Sequence, residues 1–163
     1  MIIIGIDPGV ARMGYGVIKK IRRKKRKSQD LRCLDFGCIE TEKELEISKR
    51  FLILSKEIRK LAKKYQPHLV AIESLFFFQN KKTVIKVSQA TGAALLTLGR
   101  IKVPVVEFSP QEVKKTLTNN GRANKNEIQK KVRRILRLKQ PIKPDDAADA
   151  LAIAICAADK LKE

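Results

Sequence analysis

Residues 2–6, IIIGI, are apolar without interruption, and Asp7-Pro8-Gly9 ends the run with turn chemistry. A short continuous run of this kind reads as a buried strand rather than as one face of a helix. The same signature returns at 69–73, LVAIE, just after the break at Gln66-Pro67, and at 103–108, VPVVEF. Residues 13–20, MGYGVIKK, and 31–40, LRCLDFGCIE, read as two further strands. The links among the first three strands are short, which predicts an antiparallel meander. Eight of the nine residues from 19 to 27, KKIRRKKRK, are Lys or Arg, so 19–30 is expected to form a basic hairpin tip.

Helices fill the remaining intervals. Over about 46–65, Phe51, Leu54, Ile58, Leu61, Ala62 and Tyr65 recur at helical spacing, with Lys and Arg on the opposite face. A helix over about 83–99 turns Val84, Val87, Ala94, Leu95 and Leu98 inward; its Ala90, Gly92, Ala93 and Ala94 permit close approach of another element. Ser109-Pro110-Gln111-Glu112 is a capping box with proline at the first helical position, and it starts a helix running to about 119. Asn119-Asn120-Gly121 is a turn. Asn124 with Glu127 opens the next helix, which carries Ile128, Val132 and Ile135. Pro141 and Pro144 punctuate, and 145–160 is the last helix. With no repeat and no linker, residues 1–163 are expected to be one domain. The element order predicts an α/β fold with a mixed five-stranded sheet, three antiparallel strands plus two parallel, flanked by helices. Its first and fourth strands pair in parallel through a right-handed crossover.

Composition narrows the function. The 36 Lys and Arg against 17 Asp and Glu leave a net charge of +19 on 163 residues. Such a field attracts polyanions and releases counterions from phosphates, so a nucleic-acid partner is expected over a surface that is Lys-rich merely for solubility. No apolar run approaches the ~18 residues of a membrane span. The start has no basic region followed by a cleavage site, so no signal peptide is expected. Cys33, Cys38 and Cys156 are an odd number without CxxC spacing and read as reduced core residues of a cytoplasmic protein. With His68 as the one histidine, a metal site must be built mainly from carboxylates, and His68 itself, after Pro67, reads as surface structure.

In so basic a chain, acids at the ends of apolar elements are informative. Asp7 ends the first buried strand and Glu73 the fourth, and parallel pairing brings both to one edge of the sheet. Asp146 and Asp149, three apart near the start of the last helix, share a face. Three distant segments thus converge four carboxylates. Taken singly, each has a plainer role: Asp7 in a turn, Glu73 as a cap, and Asp145, Asp146 and Asp149 at a helix N-terminus whose dipole favours anions. Taken together they suit Mg²⁺ or Mn²⁺, which resolves their mutual repulsion, and two such ions serve in-line phosphodiester hydrolysis.

Four segments, GIDPGVARMGYGVI, AIESLFFFQNKKTVIKVSQATGAAL, SPQEVKKTLTNNGRANKNEIQKKVRRIL and PDDAADALAIAI, resemble the RuvC family of Holliday-junction resolvases in the correct order and over nearly the whole chain. The resemblance implies a ribonuclease H-like fold and a homodimeric Mg²⁺-dependent endonuclease, with two ions per site and Mn²⁺ as a substitute. Such an enzyme nicks two strands of like polarity symmetrically across a four-way DNA junction, in recombination and repair, alongside branch-migration proteins of the RuvA and RuvB families. The family's acids carry over to Asp7, Glu73, Asp146 and Asp149; some members have histidine where Asp146 stands, and the DAAD spacing selects Asp146 over its neighbour Asp145. The family's basic residues near the scissile phosphate map to Lys114 in QEVKK and Lys125 in RANKNE. The aromatic that contacts junction bases maps to Phe76, with Phe77 beside it, and three successive phenylalanines cannot all face inward on one element. The 19–27 run is longer and more basic than the family leads one to expect, and an added contact with a junction arm is its expected role.

Three other readings compete. One is a different nuclease of the RuvC-like superfamily, acting on RNA. Another is a fragment of an actin-like sugar kinase, whose first phosphate loop GIDPG also resembles; that class needs a second phosphate loop and more length. The third is a DNA-binding module without catalysis, which has no need of four acids.

Overall fold

The three apolar runs and the two further strand segments become the five strands of a single sheet. In the computed structural model, which describes residues 1–21, 30–74 and 81–161, the order is β1 (Ile2–Asp7), β2 (Arg12–Ile21), β3 (Asp30–Glu40), α1 (Ile47–Tyr65), β4 (Leu69–Glu73), α2 (Lys81–Arg100), β5 (Val105–Phe108), α3 (Pro110–Thr118), α4 (Lys125–Leu136) and α5 (Asp145–Lys160). The strands lie in the order β3-β2-β1-β4-β5. β1 pairs antiparallel with β2 and parallel with β4, as the sequence order predicts. Residues 22–27 of the basic run, and Phe76 and Phe77, lie outside the described residues.

Side chains alternate across each strand, and that period of two sorts the sheet into two cores. Ile4 and Ile6 of β1 and Val70 and Ile72 of β4 meet Leu54 and Ile58 of α1 and Ala90, Ala94 and Leu98 of α2. Ile3, Leu69 and Ala71 point the other way, toward α3, α4 and α5. The same alternation puts Gly5 and Asp7, and Glu73 after Leu69 and Ala71, on the α5 side.

α5 is buried almost throughout, from Ala147 to Ala158 with Asp149 half-buried. Its alanines and the strand glycines let its backbone rest on the sheet: a Cβ at Gly5 would stand 2.0 Å from the Ala150 carbonyl oxygen. No side chain but hydrogen fits there.

One boundary departs from expectation. β5 begins at Val105 rather than 103, because the Val103 amide donates to the Leu98 carbonyl and closes α2, while Pro104 has no amide to give. Of the small residues on α2, Ala90 and Ala94 pack inward, but Gly92 faces open space. The cysteines are free, as expected, although only Cys156 is buried; Cys33 and Cys38 are half-buried on β3. His68 is exposed and accepts a hydrogen bond from the Ile2 amide, a structural role.

Candidate active site

Asp7 and Glu73 are the last residues of β1 and β4, one step beyond the Ile6–Ile72 pair of the parallel ladder. Both face α5. The opposite partner of Asp7 across the antiparallel ladder is Gly14, and a Cβ at Gly14 would stand 2.0 Å from the Asp146 carbonyl oxygen. The first turn of α5 therefore crosses the sheet at the strand end that carries Asp7. Asp146 and Asp149 arrive there together.

Two lysines come from the helices on the same side. Lys125 is the first residue of α4, fixed by a capping box in which Asn124 Oδ1 accepts from the Glu127 amide and Glu127 Oε2 accepts from the Asn124 amide. Lys114 lies in the second turn of α3, whose start is set by the matching Ser109–Glu112 box. Asp7, Glu73, Asp149, Lys114 and Lys125 line one cleft of about 260 Å³, closed on its apolar side by Val113, Ile128 and Ile153.

The acids in this cleft are under electrostatic stress. Burial pushes the Asp7 carboxyl up to about 8, reinforced by the charges of Glu73, Asp149 and Asp146 and opposed by Lys125. Burial, then Asp149, pushes Glu73 up to about 7, against the pull of Lys114. Burial also raises Asp149, with Lys125 opposing. Lys125 divides itself between Asp149, at 3.3 Å, and Asp145, at 3.4 Å. Asp145 turns away from the cleft and accepts from Gln129 Nε2 at 3.0 Å, so it serves α4 rather than the acid cluster.

An all-oxygen donor set of like charges, half-buried and repelling, fits a hard divalent cation. Even so, among the described residues no three acidic, histidine or cysteine side chains are already gathered around one point. Two of the four acids are engaged by cationic side chains. Lys125 holds Asp149, and Asp146 does not line the cleft but lies 3.1 Å from the Arg12 guanidinium. Arg12 also approaches Glu40, its partner across the β2–β3 ladder, at 3.7 Å.

The sequence order thus places the four carboxylates at one sheet edge and the family resemblance adds Lys114 and Lys125; the structure gathers Asp7, Glu73, Asp149 and both lysines in one cleft, with Asp146 on Arg12. The sequence reading misses Arg12. The available signal was an arginine at the head of a strand, directly after the turn that follows Asp7. The described root of the basic run lies away from the acids. This root, Ile21 paired with Asp30, adjoins the Met1 end of β1, whereas the acids sit at the Asp7 end. Six residues of strand, at ~3.3 Å each, put about 20 Å between them.

Comparison with known proteins matches residues 3–157 to the family model described as "Crossover junction endodeoxyribonuclease RuvC". A crossover junction endodeoxyribonuclease RuvC of Petrotoga mobilis is 42% identical over 156 residues, covering 96% of this chain and 92% of the relative. Among solved structures, a Thermus thermophilus RuvC superposes with a TM-score of 0.87 at 32% identity, covering 97% of this chain and 93% of that one. The T. thermophilus RuvC solved in complex with a Holliday junction substrate has a TM-score of 0.85 at 30% identity, with the same coverage.

Proposed function

This chain belongs to the RuvC family of crossover junction endodeoxyribonucleases, and from that premise we propose that it resolves four-way DNA junctions in recombination and repair, by paired symmetric nicks through metal-dependent phosphodiester hydrolysis. The observation that carries this reading is the cleft in which three half-buried acids face two lysines on a chain of net charge +19. A resolvase of the same fold, solved on a Holliday junction, supports the substrate class.

We assign Asp7, Glu73, Asp146 and Asp149 to the cation site, with Mg²⁺, two per site, as the cofactor and Mn²⁺ as its substitute; the donors are hard oxygens. Bound there, such cations supply Lewis acidity that activates water and stabilises the departing 3′ oxygen. The chain's own part is to position and to neutralise. The helix caps fix Lys114 and Lys125 beside the acids, where they hold the scissile phosphate and offset its developing charge. Lys125 exchanges its present carboxylate partners for that phosphate. Phe76, with Phe77 beside it, is assigned to stacking on opened bases, from the family resemblance.

One domain carries one such cleft, so two coordinated nicks require two copies. The outward face of α2 is the surface we assign to the homodimer. Ile85 and Leu96 are 59% and 60% exposed, and Gly92 and Gly99 have open space around them. Ile85, Gln89, Gly92, Leu96 and Gly99 follow each other at steps of four and three, the spacing of a helix–helix seam. Branch-migration proteins of the RuvA and RuvB families are the partners that deliver junctions. The cytoplasm, where the three free thiols stay reduced, is the assigned compartment; among the described residues no helix is long and apolar enough to cross a membrane.

The test uses a synthetic four-way junction with each strand end-labelled in turn, incubated with Mg²⁺ beside a linear duplex and an Asp7→Asn variant. Paired nicks at symmetry-related positions, absent from the duplex and from the variant, are expected. Tight binding without nicks, in any divalent metal and on varied junction sequences, would leave a DNA-binding module instead.

A further inference from the structure

Asp146 stands apart from the other three acids. Its charge reaches Asp7, yet its Oδ2 is engaged by Arg12 Nη2 at 3.1 Å, and it contributes no surface to the cleft. Arg12 is itself anchored. It opens β2 five residues after Asp7, lies in register with Glu40, and stands beside the Cys38 thiol. The pair is accessible to water, with side chains 48% and 31% exposed, so it can open without unfolding anything.

A guanidinium and a divalent cation compete for the same carboxylate oxygens. With Arg12 on Asp146, the fourth carboxylate is occupied by a cationic side chain and is not among the residues that line the cleft. We propose that Arg12 is a built-in competitor of the divalent cation: it holds Asp146 away from the cleft and must release it before the cation site is complete. This rests on the reading of the four carboxylates as the cation site. It assigns Arg12 a positioning role, exerted through Asp146, and makes cation affinity lower than the acids alone would give. Once released, the guanidinium is left on the rim of the cleft, where a DNA phosphate is its natural new partner. An incoming junction thereby favours cation loading, and cation loading favours the junction, because linkage is reciprocal.

The test measures Mn²⁺ binding directly, by the loss of the free-ion EPR signal, in the full chain without DNA. Four proteins are compared: wild type, Arg12→Gln, Asp146→Asn and the double variant. Circular dichroism confirms that each is folded, and Arg12→Lys, which keeps the charge on a different head group, serves as a second probe of the site. Arg12→Gln is expected to bind Mn²⁺ about 3–10-fold more tightly than wild type. In the Asp146→Asn background the same substitution is expected to change nothing, since the contested carboxylate is gone. Unchanged or weaker binding by Arg12→Gln overturns the proposal. An equal gain in both backgrounds also overturns it, by showing a general charge effect. If neither the wild type nor Arg12→Gln binds Mn²⁺, the reading of the carboxylates as a cation site fails, and the competitor role falls with it.

Discussion

Gly14 lies directly beneath the carbonyl of Asp146, so close that a Cβ on Gly14 would stand 2.0 Å from that oxygen. The relation joins an unremarked strand position to the placement of two acids. α5 can cross the sheet beside Asp7 only because β2 offers a bare backbone there.

Gly14→Ala is therefore expected to do more than overpack. The atoms it meets are helix backbone, which has no rotamer to yield, so the cost should reach the upper end of the ~1–3 kcal/mol typical of overpacking. At ~2–4 °C per kcal/mol for a chain of this size, the melting temperature should fall by about 6 °C or more. Mn²⁺ affinity should fall with it, because Asp146 and Asp149 move together. A variant that melts like wild type would show that α5 can lift off β2 freely.

The crowding of acids in the cleft makes a second prediction. Asp7 is desolvated and feels the charges of Glu73, Asp149 and, least, Asp146. In EDTA at neutral pH a carboxyl held at about 8 must take up a proton on folding; Asp7→Asn removes that cost and should raise the melting temperature by a few degrees, while abolishing nicking in Mg²⁺, a trade of stability for function common at active sites. Adding Mg²⁺ or Mn²⁺ should stabilise wild type by mass action and shift the variant less. Differential scanning fluorimetry with and without chelator reads both effects.

Glu112 gives a pH-dependent test away from the acids. The hydrogen bond from Lys160, then those from the backbone and side chain of Ser109, hold its carboxyl down at about 2 against an ordinary 4.5. A depressed carboxyl stabilises the fold above its unfolded value and loses that effect as pH falls through its folded value. The melting difference between wild type and Glu112→Gln should thus be constant above pH 4.5 and close between 4.5 and 2. The pair is exposed, so the difference should be no more than ~1 kcal/mol, or about 2–4 °C. A difference that persists below pH 2 would assign it to the cap geometry alone.

Leu96→Glu tests the homodimer face. The side chain is 60% exposed and touches no core, so the fold should keep its melting temperature to within the ~0.5 kcal/mol usual for surface changes. Sedimentation should show wild type as a dimer and Leu96→Glu as a monomer that binds junctions weakly. A variant that remains dimeric would move the interface elsewhere.

Most of the fold was legible from the chain. The uninterrupted runs at 2–6 and 69–73, the capping boxes at Ser109 and Asn124, and the helical spacing from Phe51 to Tyr65 each act within a few residues, and each element formed within about two residues of its expected bounds. The site was legible in outline, because strand ends are visible in sequence and a parallel β1–β4 pair necessarily sets Asp7 beside Glu73. The small residues of α2 divide between two seams, with Ala90 and Ala94 inward and Gly92 outward, because a small residue on a helix fits a buried seam and an open one equally well.

The sequence by itself determined which carboxylates share one edge of the sheet, and its family resemblance picked out the two lysines. Side-chain alternation and helix caps are local, and the order of the elements then admits few arrangements. Only the tertiary structure decided which cation each of two acids meets: Lys125 against Asp149, and Arg12 against Asp146. Those partnerships depend on β2 and β3 in register, on α5 resting against Gly14, and on angstrom-scale distances between residues up to 134 positions apart. Charge interactions of this kind follow position in space, and no spacing along the chain encodes them.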